Sequence, residues 1–156
     1  KKINVKFTFI GRNRSTSIFD DLSVFERYDA DFVRFLGDVS YEKMYSLLEE
    51  SDYLITTLNP IQHKKYLESV VTGNLGLTYG FQKPMLIQKE FAKHYDIADK
   101  AIVYEDERDL HEAILRAINL SDSEYKEIQN KLETSKDKLF GQSLNNLKEV
   151  LDRIII

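Results

Sequence analysis

The stretch from Tyr53 to Tyr104 decides the fold, because it holds three short apolar runs separated by polar and glycine-containing segments. The runs are YLITTL at Tyr53–Leu58, PMLIQ at Pro84–Gln88 and AIVY at Ala101–Tyr104. Each is nearly continuous in apolar character rather than alternating, which is typical of strands buried on both faces. Short strands of this kind, alternating with amphipathic helices, predict an α/β fold: a Rossmann-like parallel sheet flanked by helices.

Two further strands are predicted near the start of the chain. The run NVKFTFI at Asn4–Ile10 stops at Gly11, and the run FVRFL at Phe32–Leu36 stops at Gly37, as expected for strands that lead into turns. Between them, apolar residues at helical spacing follow candidate N-caps at Ser15–Ser17 and predict a connecting helix: Ile18, Leu22 and Phe25.

The remaining predicted elements are helices. Ser40 is a candidate N-cap for a helix that begins at Tyr41, and the last third of the chain has no strand signal. One apolar stripe runs from Leu110 to Ile118, and a capping box at Ser121–Glu124 starts another helix. Beyond Gly141, a final stripe predicts a separate terminal helix that has to pack on something: Leu144, Leu147, Leu151 and Ile154. Without repeats or a low-complexity linker, residues 1–156 are predicted to be a single domain with extra C-terminal helices.

Composition excludes several functional classes. The 156 residues include no Cys, so disulfides, thiolate metal sites and cysteine nucleophiles are ruled out. A net charge of −4 argues against a general nucleic-acid-binding protein, which needs a basic face for phosphates. No apolar run approaches the roughly 20 residues of a membrane-spanning helix. The chain begins without Met, inside a strand-like pattern, which indicates a piece of a longer protein.

Ligands of an open parallel sheet bind outside the carboxyl ends of its strands, so the loops at those ends are the places to inspect. The loop that opens with Gly11 and Arg12 has two guanidinium groups and a capped helix start, and either holds an anion or is a solvated loop. In the segment 72–84, Gly73 at a helix start lets a ligand approach backbone N–H groups. Gly76 and Gly80, four residues apart, are better explained by close packing of this helix against the sheet.

Three stretches, in this order, resemble a known family. They are FIG at Phe9–Gly11, VRFLGDVS at Val33–Ser40 with the helix that follows to Asp52, and GFQKPMLI at Gly80–Ile87 after the glycine-started helix. They resemble the C-terminal, donor-binding half of retaining glycosyltransferases with the GT-B fold, the group 1 glycosyl transferases. The family's first strand, in the middle of its sheet, has no counterpart here.

The resemblance implies a site for a nucleoside diphosphate sugar. Its residues, by their place in the family's motifs, are Gly11, Arg12, Gly37, Thr72, Gly73 and Asn74. The resemblance implies that Gly11 and Arg12 line the cleft and that Gly37 lies near the nucleotide base. Thr72, Gly73 and Asn74 correspond to residues at the diphosphate. The family transfers the sugar to a carbohydrate or lipid-linked acceptor held by an N-terminal domain, as in bacterial polysaccharide biosynthesis. The resemblance implies no cofactor, no nucleic-acid partner and a cytoplasmic location, with attachment to the membrane surface through the other half as an option.

The sequence also departs from the family. Its two glutamates, eight residues apart, correspond here to Ser69 and Leu77, although Glu68 is one residue from the first position. The cations that neutralise the diphosphate usually follow the absent first strand. The cluster His63–Lys65 is either a substitute for these cations or a solvated loop, and the solvated loop is the preferred interpretation. No catalytic residue is predicted, and the chain alone is expected to be inactive.

Two other interpretations remain open. One is a non-catalytic or degenerate Rossmann-like interaction domain, which Leu77 favours. The other is a different α/β enzyme, such as a sugar-nucleotide epimerase, against which the absence of a G-x-G-x-x-G fingerprint counts. A homodimer is also an option, since exposed edges of a sheet invite association.

Overall fold

A computed structural model describes residues 5–11, 33–106 and 108–154. The predicted helix with Ile18, Leu22 and Phe25 lies outside these residues, as does Arg12. The chain divides into two compact units, residues 1–50 and residues 51–156. Each unit combines a sheet of parallel strands with at least one helix, so the predicted α/β class is confirmed.

The first unit contains a two-stranded sheet. Strand β1 (Phe7–Phe9) pairs in parallel with β2 (Val33–Phe35), with Phe9 opposite Phe35. The rings of these two residues stack with their centroids 4.8 Å apart. Helix α1 (Tyr41–Glu50) follows, and the Ser40 hydroxyl accepts a hydrogen bond from the Lys43 amide at 3.3 Å, as the predicted N-cap requires.

The second unit contains a three-stranded parallel sheet in the order β3, β4, β5. Its strands are β3 (Leu54–Ile55), β4 (Met85–Gln88) and β5 (Ala101–Tyr104), and the last of these has the predicted bounds. Helices α2 (Lys65–Glu68) and α3 (Gly73–Phe81) connect β3 to β4. Helix α4 (Lys89–His94) and a 3₁₀ turn (Ala98–Lys100) connect β4 to β5.

Two further helices complete the second unit. They are α5 (Leu110–Ile118) and α6 (Asp122–Ile154). Helix α6 is continuous through Gly141, where the sequence predicts a break between two helices. Gly141 does not adopt the positive φ of a glycine that ends a helix, so it costs about 1 kcal/mol relative to alanine without terminating the helix.

Strand β4 forms the centre of the core. Met85 and Ile87 belong to one buried cluster with Phe91, Ile97 and Leu132. The intervening Leu86 belongs to a second cluster, formed with β5 and α5. All four residues of β4 are buried, as a strand covered on both faces should be. In the first unit, by contrast, no described residue of β1 or β2 is fully buried.

Helix α3 ends before the next strand for a local reason. Gln82 has φ 52°, in the left-handed region, and its amide donates to the Thr78 carbonyl. This is a helix stop of the usual kind, here without a glycine. The Gln82 carbonyl accepts a hydrogen bond from Gln129 of α6 at 3.2 Å, which ties the stop to the long helix. Among the described residues, no helix combines the length and the apolar character needed to cross a bilayer.

Candidate functional site

The start of α3 is anchored at the carboxyl edge of the second sheet. The Asn74 side-chain amide donates to the Thr56 hydroxyl at 3.2 Å and lies 3.5 Å from the Ile55 carbonyl oxygen. Ile55 is the last residue of β3, so Asn74 links the first turn of the helix directly to the strand end. The structure therefore brings Asn74 to the edge where a parallel sheet binds its ligands.

Thr56 connects three elements at this edge. It is buried, and besides accepting from Asn74 its hydroxyl contacts the Met85 sulfur at 3.2 Å. Its carbonyl accepts a hydrogen bond from the Tyr104 hydroxyl at 2.7 Å. Because the carbonyl and hydroxyl of Thr56 are both engaged, it fixes α3 relative to the ends of β3 and β5. A buried polar residue has to find such partners.

The segment before α3 is held by Tyr95. Its hydroxyl donates to the Tyr66 carbonyl at 2.7 Å and lies 3.4 Å from the Val70 carbonyl. Burial raises the pKa of Tyr95, while a hydrogen bond from the Thr72 backbone acts in the opposite direction. Tyr95 therefore positions the backbone on both sides of the exposed residues Val70 and Val71.

The start of α3 has no side-chain cap. Thr72 is the N-cap, with an extended backbone (φ −72°, ψ 136°), and its hydroxyl makes no capping hydrogen bond. Gly73 is exposed, and a Cβ atom added there would meet nothing within 4 Å. The first-turn N–H groups of a helix carry the positive end of its dipole, although here the Leu75 amide already donates to the Thr72 carbonyl at 3.1 Å. A phosphate group at this position is favourable on general grounds.

The packing role predicted for Gly76 and Gly80 is wrong. Both glycines are exposed, and an added Cβ atom would meet nothing within 4 Å at either. They lie on the solvent side of α3, whereas the buried Thr78 faces the core. Close approach of helix and sheet does not explain them, and the structure gives no other reason for them.

Gly11 and Gly37 come together in the first unit. The Gly11 amide donates to the Gly37 carbonyl at 2.9 Å, just beyond the carboxyl ends of β1 and β2. Both have positive φ values, 140° and 60°, which favour glycine. These conformations account for the two glycines without a ligand. Their predicted roles in the cleft and at the base remain predictions.

The positions of the family's glutamates hold no substitute carboxylate. The Ser69 hydroxyl lies 3.5 Å from the Lys65 carbonyl, and Leu77 is half-buried on α3. Glu68, one residue from Ser69, forms an exposed ion pair with Lys64 at 2.9 Å. That pair raises the pKa of Lys64 through the hydrogen bond from its ammonium group.

The cluster His63–Lys65 is engaged locally. The Lys65 ammonium lies 5.2 Å from the centre of the Tyr66 ring, and Lys64 pairs with Glu68. The Asn59 amide lies 3.0 Å from His63 Nδ1, inside a turn that follows β3. These contacts favour the solvated-loop interpretation over a diphosphate clamp.

A cleft of about 550 Å³ opens between the residues that follow β3 and those at the end of β5. Its lining includes Leu58, Asn59, Gln88 and Tyr104, but none of Thr72, Gly73 and Asn74. The volume is within the range of small-molecule sites. At its rim Glu105 pairs with Lys89 at 2.8 Å, which raises the pKa of Lys89.

In the part of the chain that the structure describes, no three His, Asp or Glu side chains are grouped to hold a metal ion. The arrangement offers backbone N–H groups to an anion and a neighbouring cleft to an attached group. Sequence reasoning missed Thr56, Tyr95 and Tyr104 as positioning residues. The polar residues that follow the apolar part of YLITTL are the signal that could have found Thr56.

No family model and no curated protein matches this sequence.

Proposed function

We propose that this chain is the donor-binding half of a glycosyltransferase that moves a sugar from a nucleoside diphosphate to a carbohydrate or lipid-linked acceptor. An N-terminal domain in the longer protein would hold the acceptor. The proposal includes a cytoplasmic location, at a membrane surface where the acceptor is lipid-linked. The observation that carries it is the uncapped, glycine-led start of α3, tied by Asn74 to Thr56 at the carboxyl edge of a parallel sheet.

The physical argument concerns the leaving diphosphate. Transfer places negative charge on the diphosphate, and fixed N–H groups aimed at that charge stabilise it without reorganisation. Asn74 bonds to Thr56 and the Thr72 backbone bonds to Tyr95, so the residues on either side of Gly73 are held in place before the ligand arrives. The exposed Gly73 leaves the approach unobstructed. We assign Thr72, Gly73 and Asn74 to diphosphate binding and no residue of this chain to catalysis.

Calorimetric titration of the purified chain with UDP, GDP and ADP tests the proposal. We expect one of the three to bind, and we expect Gly73→Asp to weaken that binding at least about tenfold, which corresponds to about 1.4 kcal/mol. The added carboxylate would repel the diphosphate, but near a helix N-terminus it favours the helix itself. Thermal unfolding of Gly73→Asp should therefore show no loss of stability.

Two matched variants isolate the effect of charge at the helix start. Gly73→Asn has nearly the same size as Gly73→Asp without the charge, and we expect it to bind more tightly than the aspartate variant. Gly80→Asp adds the same charge about 10 Å further along the helix axis, at 1.5 Å per residue. It should bind like the native chain. If no nucleotide binds at millimolar concentration, or if Gly73→Asp binds as the native chain does, the donor site is not here.

One observation favours the alternative, a non-catalytic or degenerate Rossmann-like interaction domain. Leu77 cannot accept hydrogen bonds from a ribose, and Glu68 is engaged with Lys64. Under this alternative the fold keeps its architecture while all three nucleotides fail to bind. The same titration thus separates the two functions.

A further inference from the structure

The second half of α6 exposes an apolar stripe, formed by Phe140, Leu144, Leu147, Leu151 and Ile154. These residues expose 66%, 42%, 54%, 44% and 72% of their surface. Contiguous apolar patches of this kind on a soluble domain mark sites of association. Their number and alignment on one helix distinguish them from the single exposed apolar residues found on any surface.

The spacing of the stripe is compatible with a coiled coil. Successive members are separated by four, three, four and three residues, which is two heptads with apolar a and d positions. These a and d positions can form an apolar seam directed at one partner helix, with the exposed Val150 beside it. The stripe therefore fits another α-helix.

The seam is built on a helix that is already formed. Leu132, in the first half of α6, is fully buried in the core, and Ile128 packs against the same cluster. Two heptads are short for an isolated coiled coil, in which nucleation of the helix opposes association. Here the packed first half supplies the nucleus, so the exposed half requires only a partner.

Area and charge are both compatible with a second copy of this chain. At roughly 100 Å² for each side chain, the five residues offer about 500 Å² per copy, or about 1,000 Å² for a pair. That reaches the lower limit for a specific interface. Along this half, Lys148 and Arg153 balance Glu149 and Asp152, and Arg153 lies 3.9 Å from Glu149. This half of α6 therefore has no net charge that would make two identical helices repel each other.

We propose that this chain forms a homodimer in which the Phe140–Ile154 faces of two α6 helices pack as a short coiled coil. Two-fold pairing of one patch with itself is the commonest arrangement among soluble oligomers. The proposal does not depend on the proposed nucleotide site, which lies at the start of α3.

Sedimentation velocity of the chain between about 1 and 200 μM tests the dimer. We expect a concentration-dependent shift from monomer to dimer that Leu147→Glu abolishes. Gln142→Glu adds the same charge on the opposite face of the helix and should dimerise as the native chain does. Circular dichroism of Leu147→Glu checks that the fold is retained, because Leu147 is outside the core.

Cysteine cross-linking gives a second measurement, because the chain has no Cys of its own. Under mild oxidation, Leu147→Cys should form a disulfide-linked dimer if the helices are parallel, and a mixture of Leu144→Cys and Leu147→Cys should do so if they are antiparallel. Gln142→Cys should remain monomeric. A monomer at every concentration, a dimer that survives Leu147→Glu, or a monomer that binds anionic lipid vesicles through this face would overturn the proposal.

Discussion

The two halves of α6 carry similar apolar stripes in one unbroken helix, yet only the first half is covered. In the first half Leu132 is fully buried and Tyr125 donates from its hydroxyl to the Asp52 carbonyl at 2.7 Å. In the second half the five residues of the exposed stripe face solvent. The comparison teaches that a helical-period stripe specifies a helix and its apolar face, while the covering partner depends on tertiary structure.

The largest expected difference between the halves is in the cost of removing a leucine. Leu132→Ala should lower the free energy of unfolding by about 2–5 kcal/mol, because it leaves a cavity in the cluster with Phe91 and Met85. Leu147→Ala should change it by less than about 0.5 kcal/mol at monomer concentrations. Urea unfolding monitored by circular dichroism measures both. Equal losses in the two variants would mean that the second half is also part of a core.

A smaller effect is expected from a hydrogen bond that ties the first half to the residues before β3. Tyr125→Phe keeps the ring, which lies edge-on to Tyr53 with centroids 5.4 Å apart, and removes the bond to Asp52. The loss should be about 0.5–1.5 kcal/mol. Leu139→Ala in the second half is the comparison, and it should cost less. Urea unfolding measures the free energy of unfolding of both variants. A smaller loss for Tyr125→Phe than for Leu139→Ala would contradict the comparison.

The neighbouring Tyr53 adds a pH-dependent test. Its hydroxyl donates to the Ala117 carbonyl at 2.7 Å, and burial, with Tyr125 and Asp52 nearby, raises the pKa of Tyr53 to about 12. A raised pKa stabilises the fold fully below the ordinary value of 10.0, and that contribution is lost as the pH rises toward 12. Tyr53→Phe should lose less stability than the native chain over this interval. Thermal unfolding at pH 9 to 12 measures the difference, and parallel curves would contradict the assignment.

The sequence predicts much of the second unit, because there local and tertiary signals agree. The runs PMLIQ and AIVY become β4 and β5 with at most one residue of difference, since β4 is fully buried and every second residue of β5 is buried. The run YLITTL shortens to two strand residues. Thr56 lies just past the strand, where its amide donates to the Leu86 carbonyl at 3.0 Å, and its side chain and carbonyl hold α3 and β5.

The features that the sequence does not reveal depend on neighbours distant in the chain. Glycine spacing suggested close packing for Gly76 and Gly80, but spacing does not say which face of α3 meets the sheet. Gly141 suggested a helix end, but a glycine ends a helix only when the following chain turns away. Of the predicted site, the structure places Asn74 at the sheet edge and joins Gly11 to Gly37 by a hydrogen bond. The titration with UDP, GDP and ADP tests whether the chain binds a nucleotide.

The smallest expected effect is at the first turn of α6, where the capping box is present as predicted. The Glu124 carboxylate accepts from the Ser121 amide at 2.8 Å and from its hydroxyl at 2.6 Å, and the Glu124 amide lies 3.3 Å from that hydroxyl. The hydroxyl bond and then the backbone bond lower the pKa of Glu124. A lowered pKa stabilises the fold above the ordinary value of 4.5, and the contribution is lost as the pH falls through the folded value.

Glu124→Gln should therefore unfold at a slightly lower temperature than the native chain at pH 7, and the two should converge toward pH 3. The effect is small because the carboxylate is exposed and water and salt screen its interactions. Glu133→Gln makes the same change of charge further along α6 and should not show this convergence. The cap acts on the packed half of α6, so the difference in unfolding temperature should not depend on protein concentration. A difference that changes with the monomer–dimer equilibrium would show that the two halves of the helix are coupled.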